Sequence, residues 1–330
     1  MKKYLMALAI GLFVISLFTT CACAQTEAMR LKLGHVLAPG TAHHVAATKL
    51  SELVKERTNN AIIIDVYPSS QLGDEREMLE ALQLGTLDFV FSATAPLSAW
   101  LPNYLVFDMP FLFDGYEHAY KVYDGEFGKA RIKELEQIGI KGLQLTEAGF
   151  SNIITTTKPL NVPDDAKGLN IRCMESPGLI AYFNAMGANP VPMAMSEVFT
   201  SLQNKTLDGG TWPLLTTYSN KLYTVTKYCT LLDPIPTTCL LAASQIVWDS
   251  IPSQYHQVIE DCAREAILYQ REYLAKRLTE LIAEMEEEGM IFVRPDRNVW
   301  KAAIFDKVIA EMVPKYISSE LVEAVIKERK

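Results

Sequence analysis

The feature that most constrains the fold is an alternation of short apolar runs with amphipathic stretches of helical spacing, beginning at Leu31. Residues 31–37 read as a strand. Residues 43–57 place Val45, Ala46, Leu50, Leu53 and Val54 on one helical face, and the Thr58-Asn59-Asn60 run ends that helix. A strand rich in Ile and Val covers 61–67. A helix over 74–84 follows, with acids in its first turn and Gly85 stopping it, and then a strand over 87–91. Connections this short between strand and helix predict a parallel sheet. The same grammar restarts as strand 168–173, helix 177–186, strand 188–191 and helix 196–203, so two α/β lobes are expected.

One helical pattern is much longer than the rest. Residues 253–289 carry Tyr255, Val258, Cys262, Ala266, Tyr273, Leu278, Leu281 and Met285 on or near one stripe. At about 1.5 Å per residue such a helix would exceed about 50 Å, long enough to touch both lobes. Its acidic end, Glu284 and Glu286 to Glu288, reads as a solvated face. No internal repeat of fixed period is visible.

The chain opens with Lys2 and Lys3, an almost wholly apolar run over residues 5–18, and Ala22-Cys23-Ala24 before Gln25. That order is a secretory leader, with cleavage expected after Ala24. The apolar run is shorter than the ~20 residues a membrane span needs. Phe18, Thr19 and Thr20 fit a lipidation box poorly, so a lipid anchor on Cys21 or Cys23 is the lesser reading. Loss of the leader removes two lysines and no acid, taking the formal charge from −8 to −10. A chain this acidic has no phosphate-neutralising footprint, so no nucleic-acid partner is expected. Four cysteines remain: Cys173, Cys229, Cys239 and Cys262. Cys229 and Cys239 would close a short loop around Pro234 and Pro236 if oxidised; small buried thiols are the alternative.

Catalytic signatures are missing. There is no phosphate loop, H-E-x-x-H, nucleophile elbow or dinucleotide fingerprint, and Gly149-Phe150-Ser151-Asn152-Ile153 lacks the second glycine of an elbow. His35, His43 and His44 lie close together, but no carboxylate or cysteine joins them at ligand spacing, so no metal or other cofactor is expected. The pattern favours a binding protein over an enzyme.

Three long stretches are diagnostic: KGLNIRCMESPGLIAYFNAMGANPVPMAMSEVFTSLQNKTLDGG (residues 167–210), YPSSQLGDEREMLEALQLGTLDF (67–89) and VFDMPFLFDGYEHAYKV (106–122). They resemble the DctP-type solute-binding proteins of tripartite ATP-independent periplasmic (TRAP) transporters, and the resemblance runs through nearly the whole exported chain. It implies a two-lobed periplasmic binding protein fold of class II type, with a hinge and a long helix spanning both lobes. Residues 25–149 with 238–277 would form one lobe and residues 150–237 with 278–330 the other. It also implies a monomeric periplasmic receptor that closes on a small carboxylate and hands it to the small and large membrane permease subunits. The rival readings are a four-carbon dicarboxylate receptor and a ligand-presenting subunit of a sensory system.

In the family an arginine in the strand after K-G-L pairs with the substrate carboxylate, and Arg172 stands there. A guanidinium fork matches a carboxylate with two parallel hydrogen bonds. Two departures follow. Many relatives have a second arginine where this chain has Ser151, beside Asn152, and an asparagine after D-G-Q-E where it reads Asp208-Gly209-Gly210-Thr211-Trp212-Pro213. The sialic-acid-binding branch places polar groups at positions aligned with Val36, Ala93 and Cys239, and a phenylalanine at Met195. The pocket is therefore expected to be poor in hydrogen-bonding partners, with an aromatic face from Trp212, and to suit a monocarboxylate with an apolar or aromatic body. Candidate ligand contacts are Arg172, Trp212, Glu175, Met195, Ser151, Asn152, His35, Val36, Ser92 and Cys239. Filling the second lobe's core is the lesser reading of Trp212, and Met195 reads as a packing residue that also brushes the ligand. Glu175 is a pocket acceptor, a partner of Arg172 or a surface acid. His35 sits at a strand end, where ligands bind in such sheets.

Overall fold

The computed structural model describes residues 27–329, so the expected leader, its cleavage site, Cys21 and Cys23 lie outside the described residues. In chain order the elements are β1 (Met29–Gly34), α1 (Ala42–Arg57), β2 (Ile62–Tyr67), α2 (Glu75–Leu84), β3 (Phe89–Ala93), α3 (Tyr116–Asp124) and α4 (Glu126–Glu134). Then come β4 (Ile140–Thr155), β5 (Asn170–Cys173), α5 (Pro177–Asn184), β6 (Asn189–Pro192), α6 (Met195–Gln203), β7 (Gly209–Pro213) and α7 (Leu214–Ser219). The chain ends with β8 (Tyr228–Ser244), α8 (Gln245–Ser250), α9 (His256–Glu287), β9 (Ile291–Val293), α10 (Arg297–Met312) and α11 (Ser319–Lys327).

Local signals explain the boundaries. Asp74 and Glu77 form a reciprocal capping box at the start of α2, and Gly85 ends that helix in the left-handed conformation at φ +72. Ser176 caps α5 by accepting from the Gly178 amide, with Pro177 in the first turn, where its missing N–H costs nothing.

The strands form one sheet in the order β2-β1-β3-β8-β4-β7-β5-β6, with β9 on β8. β1 pairs in parallel with β2 and β3, and β5 in parallel with β6 and β7, as the βαβ grammar predicts. The antiparallel strands β8 and β4 between these two sets are the part periodicity did not predict. They are 17 and 16 residues long and run through both lobes of the α/β fold. Besides an irregularity at Gly142/Gln144, their pairing slips first at Glu147/Phe150 and again at Ser151/Ile153. Gly149 stands inside the first slip at φ +122, a conformation that favours a residue without Cβ. The G-F-S-N run is thus a β-bulge, not an elbow.

β8 also answers the cysteine question. Cys229 and Cys239 lie ten residues apart on this one strand, and both are free and buried. At ~3.3 Å per strand residue they stand roughly 30 Å apart, far beyond disulfide reach. Pro234 and Pro236 are strand residues, not the turn that an oxidised pair would have required.

The long helix is present as 32 residues. Its first half, with Ile259, Cys262, Ala263, Ala266 and Ile267, packs into the core built on α1, β1 and β3. Leu274, Leu281 and Met285 enter a second core with Val198, Leu202, Leu215 and Leu222. One rigid rod therefore joins both lobes. The C-terminal helices also cross over: Trp300, Ile304 and Val308 share a core with Leu179 and Phe183 of α5, while the His118 imidazole bonds the Val325 carbonyl oxygen at 2.8 Å. Among the described residues no helix is long and apolar enough to cross a membrane.

Candidate functional site

β1 and β3 are neighbours whose following chain leaves in different directions, and such switch points leave a crevice at the carboxyl ends of the strands. A small cavity of about 30 Å³ opens there, walled on one side by Leu37, His43, Glu75 and Ala93. The facing wall comes from β5, β7 and the segments after them: Arg172, Met174, Met195, Thr211, Trp212 and Thr216.

Arg172 is central. It sits on β5, is 2% exposed, and its Nε donates to the Met193 carbonyl at 3.0 Å. That bond orients the fork, while the two terminal nitrogens have no hydrogen-bond or ion-pair partner among the described residues. Burial draws the guanidinium pKa below its ordinary value and the charge of Glu75 opposes the shift. A guanidinium stays protonated in any protein, so the cavity holds a buried cation with no ion-pair partner among the described residues.

Trp212 lies beside it, with the Arg172 guanidinium carbon 5.8 Å from the indole centroid, within cation–π range. Sequence explains this placement. Gly210 pairs with Arg172 across β5 and β7, and a Cβ on Gly210 would fall 2.0 Å from the indole ring. The second glycine of Asp208-Gly209-Gly210 clears the space in which the indole lies against the arginine. Trp212 Nε1, Thr216 Oγ1 and Nδ1 of His43 are buried without partners among the described residues. Burial holds the His43 imidazole neutral, lowering its pKa to about 3.

Glu75 faces the same cavity and makes no hydrogen bond among the described residues. Burial pushes its carboxyl up to about 7; Arg172 works against that shift, and Asp74 and Glu175 reinforce it. The two opposite charges share one cavity without an ion pair between them.

Of the ten residues singled out from sequence, Arg172, Trp212 and Met195 line the cavity. Ser151 stands behind it, its hydroxyl 2.6 Å from that of the lining residue Thr237. Val36 and Ser92 are buried one residue away from lining residues Leu37 and Ala93. For Ser92, within β3, a shift of one residue turns the side chain to the opposite face. Cys239 pairs with Ala93 in the sheet and points its thiol at the Thr237 carbonyl, 3.1 Å away. Asn152 braces β8: its Oδ1 accepts from the Leu232 and Asp233 amides at 2.7 and 3.0 Å. His35 is fully buried, with Nε2 3.3 Å from His44 Nδ1. Glu175 is exposed and bonds Arg76 at 3.3 Å. Among the described residues no group of three or more His, Cys, Asp or Glu could hold a metal ion.

Sequence reading missed His43, Glu75, Met174, Thr211, Thr216 and Thr237. The QLGDE run offered a signal for Glu75, but an acid in a first helical turn already has an explanation in the helix dipole. Nothing local marks Thr237. A larger hollow lined in part by Asp124, Lys141, Glu260 and Arg271 is a weaker candidate, because its one buried cation, Arg271, is already paired with Asp124 at 2.6 Å, and Lys141 with Glu260 at 2.8 Å.

Residues 33–315 match the family described as bacterial extracellular solute-binding protein, family 7. The chain belongs to this family. It is 33% identical over 309 residues to the C4-dicarboxylate-binding periplasmic protein DctP of Rhodobacter capsulatus, covering 92% of this chain and 91% of that protein. It is 31% identical over 301 residues to the 2,3-diketo-L-gulonate-binding periplasmic protein YiaO of Escherichia coli K12, covering 90% and 91%. Among solved structures it is similar to a TRAP periplasmic solute binding protein from Polaromonas sp. JS666 bound to D-erythronate. That match has 32% identity and a TM-score of 0.87, and covers 90% of this chain and 98% of that one. The family-7 proteins are extracytoplasmic receptors, so this chain is a TRAP solute receptor and not an enzyme.

Proposed function

We propose that this family-7 receptor binds a monocarboxylate with a largely apolar or aromatic body. One observation carries the reading: Arg172 turns two terminal nitrogens, unpaired among the described residues, to a cavity whose other ionisable lining groups there are Glu75 and a neutral His43. One carboxylate saturates that fork. The second carboxylate of a four-carbon diacid would meet Glu75 instead of a cation, and like charges at close range oppose binding. Trp212, Met174, Met195 and Leu37 offer apolar area for the rest of the ligand. Trp212 Nε1, Thr216 Oγ1 and His43 leave room for a polar substituent, more than the sequence suggested.

The β4–β8 register slip at Glu147/Phe150 supports a lobe boundary near 149/150 and 237/238. A ligand touching both walls favours the closed form, which is the species offered to the permease subunits. In this reading the leader takes the chain to the periplasm, where it works as a monomer. Thermal-shift titration with aryl and alkyl monocarboxylates against matched dicarboxylates tests the ligand class. Monocarboxylates are expected to raise Tm and dicarboxylates of equal length to raise it less; the reverse order overturns the proposal.

Glu75 adds a pH signature. A carboxylate bound on Arg172 favours the protonated form of Glu75, so affinity is expected to weaken as pH rises through about 7, by at most about tenfold per pH unit. Calorimetry between about pH 6 and about pH 8.5 reads this, and Glu75→Gln should flatten the profile.

A further inference from the structure

Two contacts between side chains cross the crevice beside the cavity, and none of their four residues lines its interior. Ser196 Oγ, in the first turn of α6, donates to Asp74 Oδ2 at 2.7 Å. A terminal guanidinium nitrogen of Arg76 reaches Glu175 at 3.3 Å, while its Nε holds Glu80 at 3.1 Å. The Arg76 guanidinium carbon also stands 5.7 Å from the Trp100 ring centroid, which fixes the arginine on its own side. Asp74 and Arg76 belong to the β1–β3 side of the sheet, and Glu175 and Ser196 to the β5–β6 side, so these bonds bridge the crevice.

Each bridging residue adjoins a residue of the cavity wall. Asp74 and Arg76 flank Glu75, Glu175 follows Met174, and Ser196 follows Met195. The bridges therefore set how far Met174 and Met195 stand from Glu75. We propose that Asp74–Ser196 and Arg76–Glu175 act as a latch that fixes the upper size limit of the ligand without touching it. A ligand short enough to stay behind the two methionines lets both bonds form. One that projects past them holds the walls apart and forfeits the latch as well as the fit. The residues are positioning residues, and the inference rests on the cavity being the carboxylate site.

The test uses Ser196→Ala combined with Glu175→Gln in the exported chain. Asp74 is left alone because it also caps α2. Straight-chain monocarboxylates of increasing length are titrated by calorimetry into parent and variant. For short acids the variant is expected to bind about five-fold more weakly, the scale of one exposed ion pair and one charged hydrogen bond, with the loss in the dissociation rate. For acids beyond the parent's length limit the difference should vanish or reverse, because the parent gains nothing from a latch it cannot close. An equal loss at every length, or no loss at any, overturns the latch. An unliganded Tm like the parent's shows that the variant is folded. Failure of the parent to bind any of the acids would instead overturn the carboxylate site, and the latch with it.

Discussion

Arg172→Ala is expected to abolish ligand-induced thermal stabilisation and to weaken binding of every carboxylate by about a hundredfold or more, since two charge-assisted hydrogen bonds contribute roughly 3–5 kcal/mol. The unliganded protein should not lose stability to match. Arg172 has no ion-pair partner among the described residues, so its removal strips one hydrogen bond to Met193 but also relieves the cost of burying a lone cation. Arg172→Lys should recover only part of the affinity, because an ammonium is a point donor that cannot present two parallel N–H groups. Paired melting curves with and without ligand distinguish the outcomes. A ligand shift retained in the alanine variant would place the carboxylate elsewhere in the cavity.

Asn152→Ala should produce the opposite pattern, a large loss of stability with ligand affinity kept within a few-fold. Its amide oxygen accepts from two consecutive β8 amides, and its Nδ2 donates to Asp233 at 2.8 Å, all at the register slip. Alanine leaves the buried Leu232 amide without its acceptor, a loss of about 2–4 kcal/mol and roughly 5–10 °C in Tm. The same residue read as a ligand contact from sequence would lose affinity without loss of stability. Chemical denaturation together with calorimetry on the folded variant measures both quantities, and an affinity loss above tenfold at unchanged stability would overturn the bracing role.

The contrast between these two residues shows how far the sequence could be read. Arg172 was legible because a long motif surrounds it and a guanidinium has few reasons to be buried. The βαβ elements and the long helix were legible for a different reason: each is decided by periodicity within a dozen or so residues. Asn152 and Glu175 are polar residues in equally recognisable motifs, but what they bond comes from segments about 80 and 100 positions away. No local pattern encodes such a partner. Ser92 illustrates a finer limit, since one residue along β3 separates a cavity wall from the core behind it.

Local pattern was enough for the class: an acidic chain with two α/β lobes, one long connecting helix and an arginine expected to meet a carboxylate. Only the tertiary structure decided that Glu75, His43 and Thr216 share Arg172's cavity, that Gly210 makes room for the indole, and that Cys229 cannot reach Cys239. The physical reason is the range of the forces involved. Helix and strand follow from neighbours a few residues apart, whereas a binding cavity is the gap left when distant segments pack, and its chemistry depends on which side chains remain unpaired after packing.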